Sequence, residues 1–207
     1  MLTDYQLEKL CKNMNIPLES IIFKDECPKT FKFNKSYIIN LDDEFDESGN
    51  IKSGSHWVAL QINKYPNDVI KGMYFDSFGC EPAIDIIKCY KNTTGKDHLP
   101  YNTKDIQSLM SNACGWYCCA WLHFINNFSH RERNLWLDTE NFLEFFDDLN
   151  KSIDFKKNEY ILKLFFQPKD PTKRKEIDVI ADSETIDTDV NGYRPDMMAM
   201  PVEIKYK

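Results

Sequence analysis

The sequence predicts a domain that mixes strands with helices, and three segments carry that expectation. Residues 56–62, His56-Trp57-Val58-Ala59-Leu60-Gln61-Ile62, form a strongly β-prone run entered through Ser53-Gly54-Ser55. Residues 72–76, Gly72-Met73-Tyr74-Phe75-Asp76, follow a turn at Tyr65-Pro66-Asn67-Asp68, so the two runs read as antiparallel neighbours ending at Ser77-Phe78-Gly79. Residues 114–125 are apolar almost all the way round, which obliges a helix there to be central and buried.

The other elements follow in chain order. Residues 3–14 read as an amphipathic helix, capped by Thr3 or Asp4, with Tyr5, Leu7, Leu10, Cys11 and Met14 as its stripe and Pro17 beyond its end. Phe31-Lys32-Phe33 alternates, and Ser36-Tyr37-Ile38-Ile39-Asn40 reads as a short strand. The acidic run 41–50 reads as a solvated loop. Residues 83–90 suit a helix and 91–102 a polar loop, while 105–110 has no decided type. Either Ser111 or Asn112 is a natural N-cap for the buried helix, which puts Cys114 in its first turn. Two more helices are expected near 139–149 and 158–166. Beyond Phe166 the composition shifts: residues 167–207 hold four of the nine prolines and neither Cys nor Trp. They read as a polar extension, ordered only if docked, after one domain over 1–166.

Composition narrows the function classes. A chain of 207 residues with 42% hydrophobic, 14% aromatic and 29% charged residues can bury a sizeable core, which excludes fibrous, collagen-like and wholly disordered proteins. No apolar run approaches the roughly 18 residues of a membrane span, and residues 1–13 are too polar for a signal peptide. The net charge of −7 gives no support to nucleic-acid binding or stimulation. Seven cysteines, an odd number, point to reduced thiols rather than a disulfide framework, hence to a reducing compartment. The 22 Lys, 4 Arg and 17 Asn are what an AT-rich coding sequence produces.

Chemistry concentrates around Cys114. A thiol becomes a strong nucleophile as thiolate, which a helix N-terminus favours, and free backbone N–H groups there also suit an oxyanion. Gly115 would let a substrate backbone approach closely. Of the four histidines, His123 lies nine residues along the same helix, about 180° round and roughly 13 Å further on, and so cannot serve as base. His130 is farther still, and His98 sits in a polar loop with no special setting. His56, at the mouth of its strand, is the better candidate. Asp76 ends the strand expected beside that of His56, so its carboxylate could fix the imidazole tautomer. Gln107, seven residues before Cys114, is a neutral donor suited to a developing oxyanion. A metal site from Cys114, Cys118, Cys119 and His123 is disfavoured because they do not converge on one helical face, and no cofactor is called for.

The order His, Asp, Gln, then Cys-Gly on a buried helix resembles the cysteine peptidases of the adenovirus protease (adenain) and SUMO-protease type. The matching residues are His56-Trp57, Phe75-Asp76-Ser77-Phe78-Gly79, Gln107 and Asn112-Ala113-Cys114-Gly115-Trp116-Tyr117-Cys118-Cys119. The continuation Trp121-Leu122-His123-Phe124, the opening helix, Ile22-Phe23-Lys24-Asp25 and Tyr37-Ile38-Ile39-Asn40 are similar to the adenain branch in particular. The resemblance covers about residues 1–166. It differs from papain order, in which the Cys precedes the His.

The resemblance implies an α+β fold with a central, mostly antiparallel sheet packed against the nucleophile helix. It implies a Cys-His-Asp endopeptidase in which Cys114 attacks, His56 carries the proton and Asp76 holds His56. The Gln107 side chain and the Cys114 backbone N–H form the oxyanion hole, and Trp57 shapes a narrow cleft that favours Gly or other small residues before the scissile bond. Expected partners are protein substrates and no membrane. A viral maturation peptidase acting on capsid or core precursors, in the virion and the host-cell virus factory, fits the adenain-like features and the AT-rich bias of virophages and large DNA viruses of protists. The alternatives are a deconjugating peptidase for ubiquitin-like proteins, cytoplasmic or nuclear, and a non-catalytic binding protein keeping the fold. Three departures stand out: Asp76 replaces the Glu of adenain, Lys96 occupies the position of its peptide-tethering Cys, and the chain is acidic where adenain is basic.

Overall fold

The computed structural model describes residues 1–52, 54–127, 134–151 and 155–166. The expected polar extension over 167–207 lies outside them. Helix α1 (Asp4–Asn13) opens with a reciprocal cap: the Gln6 backbone N–H donates to Thr3 Oγ1 (3.3 Å) and the Thr3 N–H to Gln6 Oε1 (2.9 Å). Four strands follow, β1 (Leu18–Phe23), β2 (Lys35–Asn40), β3 (Trp57–Lys64) and β4 (Ile70–Phe75), and then helices α2 (Ile84–Thr94), α3 (Cys114–Asn127), α4 (Leu135–Leu143) and α5 (Phe155–Phe165).

The sheet runs β1-β2-β3-β4. β2 pairs antiparallel with β3, and β3 with β4, but β1 lies parallel to β2, so the sheet is mixed. β1 was not expected. All six of its residues are half-buried and Glu19 and Ser20 interrupt the apolar run, so no period of two is visible.

Alternation along the strands divides the core into two layers. Ile38, Trp57, Ala59, Met73 and Phe75 face α1, α3, α4 and α5; Tyr37, Ile39, Val58, Leu60, Ile62 and Tyr74 face α2. As expected, α3 is the central helix, with every residue from Cys114 to Ile125 buried. Trp121 at its middle stacks on Phe75 of β4, ring centroids 5.1 Å apart, and its Nε1 donates to Thr139 Oγ1 at 3.1 Å.

Several boundaries differ from expectation; α5, for one, begins at Phe155 rather than near residue 158. α2 continues past residue 90 to Thr94 and stops at Gly95, whose φ of 73° gives the left-handed cap that glycine takes without strain. α4 spans Leu135–Leu143 rather than 139–149, because the Lys104 ammonium donates to the carbonyls of Leu143 (2.7 Å) and Phe146 and closes the helix there. The residue preceding α3 is Ala113, whose carbonyl accepts the Tyr117 N–H; the Ser111 hydroxyl instead accepts from the Ala113 N–H at 3.3 Å. No helix among the described residues is long and apolar enough to cross a membrane.

Trp121→Ala should cost about 3–5 kcal/mol, since it empties the centre of the helix–sheet layer and removes the donor to Thr139 Oγ1. The measurement is a fall in the urea midpoint with an unchanged denaturant slope.

Candidate active site

The site lies where β3 begins and β4 ends, opposite the first turn of α3. His56 immediately precedes Trp57, the first residue of β3, and its backbone carbonyl accepts the Leu41 N–H at 2.9 Å. Asp76 immediately follows Phe75, the last residue of β4. The antiparallel register therefore delivers both side chains to one rim, and His56 Nε2 lies 2.7 Å from Asp76 Oδ1. With Nε2 occupied, Nδ1 is the nitrogen left to face the Cys114 thiol, which acts on the imidazole and helps to raise its pKa. Cys114 is the first residue of α3 and is buried. The structure thus brings His56, Asp76 and Cys114 together, with His56 hydrogen-bonded to Asp76 and acted on by Cys114.

The turn after β4 holds the carboxylate. Asp76 Oδ1 accepts the Phe78 N–H (2.8 Å) as well as the imidazole. The Asp76 carbonyl accepts the Gly79 N–H at 2.9 Å. Gly79 has φ +70°, and a Cβ there would lie 2.7 Å from the Thr103 backbone, so conformation and space both require glycine. Asn102, fully buried, brackets the Asp76 backbone: its Oδ1 accepts the Asp76 N–H (2.9 Å) and its Nδ2 donates to the Asp76 carbonyl (2.6 Å). Phe78 stacks on His56 with ring centroids 4.6 Å apart. The sequence assigns no role to Asn102, and places Phe78 in the turn after the strand without pairing it with His56. Asn102 carries no motif, and Phe78 is recognisable only once the strand register is known.

Gln107 is also buried and beside this turn. Its Oε1 accepts from Ser77 Oγ at 2.7 Å and its Nε2 donates to the Ser111 carbonyl at 2.9 Å. An amide nitrogen carries two hydrogens, so one remains for a further acceptor.

Two other expected residues have different surroundings. The space left by the missing Cβ of Gly115 is taken by Leu7 and Leu2, at 3.0 and 3.3 Å from where it would stand. The close approach seen at this glycine is that of Leu7 in α1 and of Leu2 just ahead of it. Trp57 is 4% exposed and its Nε1 donates to the Leu2 carbonyl at 2.9 Å. It anchors the start of the chain under the site and leaves almost no surface to shape a cleft.

No protein-family model matches this chain and no curated protein matches it, so the site stands on its own geometry.

All seven thiols are free, and five of them are held toward the protonated form by their surroundings. Burial pushes the Cys118 and Cys119 thiols well up, and burial with the neighbouring Cys89 pushes Cys27 up to about 12. Burial likewise raises Cys80 and Cys89. Burial alone would lower the His56 pKa, but hydrogen bonds to Asp76 and to Cys114, with their charges, raise it to about 9. The imidazole is therefore protonated at neutral pH, a suitable counter-charge for a thiolate.

The pH dependence has a definite sign. Because the folded pKa of about 9 exceeds the usual 6.5, the folded state holds this proton over that interval while the unfolded state releases it. The contribution is complete below pH 6.5 and is lost as pH rises through 9. Wild-type stability should fall over that range by at most roughly 3 kcal/mol. The decline should be shallower in Asp76→Asn, as read from urea midpoints across pH.

Proposed function

We propose that the protein is a cysteine endopeptidase, carried by the hydrogen-bonded pair His56–Asp76 beside Cys114, the first residue of a buried helix. In this reading the Cys114 thiolate adds to a peptide carbonyl and the imidazolium gives its proton to the leaving amine, producing a thioester. Water, deprotonated by the then neutral His56, hydrolyses the thioester and restores the thiol. Asp76 holds Nε2 and stabilises the imidazolium. The oxyanion is received by the free N–H of Gln107 and by the backbone N–H at the start of α3.

The resemblance to the adenain and SUMO-protease type supports the same roles, with the α+β fold of that family. Its adenain-like segments and the AT-rich composition favour viral capsid or core precursors, cut after small residues, as the substrate class. A panel pairing such a precursor with a fusion, in which a ubiquitin-like protein ending in diglycine is followed by a second protein, tests this. Cleavage of the precursor alone is the expected result, and cleavage of the fusion alone would reassign the enzyme to deconjugation.

The activity itself is tested by alkylation with iodoacetamide near pH 6 followed by peptide mapping. Cys114 should label far ahead of the other six thiols, and His56→Ala should remove that advantage. Equal labelling of all seven in folded protein would favour a binding protein instead. Cys114→Ala should abolish cleavage, and Gln107→Ala should lower turnover by roughly 10–1000-fold with KM little changed.

A further inference from the structure

Asp76 and Ser77 are consecutive, and each holds a different half of the site. Asp76 orients the imidazole. Ser77, fully buried, is turned toward Gln107 with both its side chain and its backbone. Its hydroxyl donates to Gln107 Oε1 at 2.7 Å, and its carbonyl accepts the backbone N–H groups of Ile106 (2.8 Å) and Gln107 (3.1 Å).

A primary amide is ambiguous as an oxyanion donor. Turned by half a revolution about its last bond, it presents an acceptor where the donor stood. An oxygen facing a developing oxyanion would repel it. Two neighbours decide the matter here. The Ser111 carbonyl can only accept, so it selects Nε2 on its side, at 2.9 Å. The Ser77 hydroxyl completes the pairing by satisfying Oε1 on the other. Without that hydroxyl, Oε1 becomes a buried acceptor with no donor, and of the two side-chain bonds that fix the amide only the one to Ser111 is left.

We propose that Ser77 is the positioning residue that keeps Gln107 presenting N–H to the carbonyl oxygen of the substrate. The inference rests on the peptidase reading above and extends it: one dipeptide, Asp76-Ser77, indexes the base and the oxyanion hole to the same turn. Because the Ser77 carbonyl also pins Ile106 and Gln107, a shift of that turn would move both halves of the site together.

Two reagents at Cys114 distinguish this role. p-Nitrophenyl acetate acylates a thiolate by forming an S–C bond while the carbonyl electrons move onto oxygen; p-nitrophenolate then leaves with its electron pair. Iodoacetamide reacts with the same thiolate by direct displacement of iodide, with no oxyanion. The ratio of acylation to alkylation at Cys114, mapped by peptide mass, therefore reports the oxyanion hole, and loss of folded protein scales both rates alike.

Ser77→Ala should lower acylation about tenfold or more, with alkylation within about twofold of wild type. Gln107→Ala should do the same, and the double variant should fall no further than Gln107→Ala alone. Ser77→Thr, which keeps the hydroxyl, should keep most of the wild-type ratio. An unchanged ratio in Ser77→Ala, or a double variant whose loss is the product of the two single losses, overturns the role of Ser77 alone. A wild-type Cys114 that outpaces the other thiols with neither reagent overturns the peptidase reading itself.

Discussion

The antiparallel register of β3 against β4 is the constraint on which the site depends. Its last bonded pair is Ala59 with Phe75. Continued outward, the same register sets His56 across from Phe78, the ring on which it stacks, and brings the Asp76 carboxylate within 2.7 Å of the imidazole. A slip of one residue would turn every side chain of β4 to the other face and carry Asp76 away. Since both faces of the sheet are apolar, alternation alone does not forbid that slip. Particular fits do. Gly72 lies beneath the Tyr90 ring, where a Cβ would stand 2.5 Å from the ring edge, and Phe75 lies flat on Trp121. Neither Lys71 nor Met73 could replace Gly72 under that ring.

Burying a carboxylate is expensive, and Asp76 shows how the expense is managed. It is 1% exposed, and its Oδ2 has no hydrogen-bond partner among the described residues. The other oxygen carries both bonds, one from a backbone N–H and one from an imidazole held in its charged form. Asn102 holds the backbone of the same residue rather than its charge. The arrangement gathers both bonds on the oxygen that faces His56, with the Phe78 N–H sharing it.

Much of this was legible from sequence, though unevenly. β3 and β4 announced themselves through apolar runs broken by Tyr65-Pro66-Asn67-Asp68, and α3 through its unbroken hydrophobicity. His56, Asp76 and Cys114 were visible because each sits at an element's end, where pattern reading places residues on a rim. β1 was hidden by its half-buried edge position. The end of α4 was hidden because it is set by Lys104, a distant ammonium that no local signal marks. At Gly115 the sequence shows that something approaches closely, and only packing shows that Leu7 and Leu2 do. Asn102 and Ser77 act through contacts across 26 and 30 positions, beyond any local pattern.

The burial of α3 on all sides has a bearing on motion. Its amides are enclosed by the sheet and by the neighbouring helices, so their exchange with solvent should require the whole domain to open rather than one end to fray. The thiol of Cys114 thus rides on the least yielding part of the molecule. Of residues 102–113, which run without regular structure, Gln107 is held by Ser77 and Ser111, while Leu109 and Met110 stand out in water at 86% and 85% exposure. The nucleophile thus sits on an anvil, and any yielding is left to short exposed stretches such as that one.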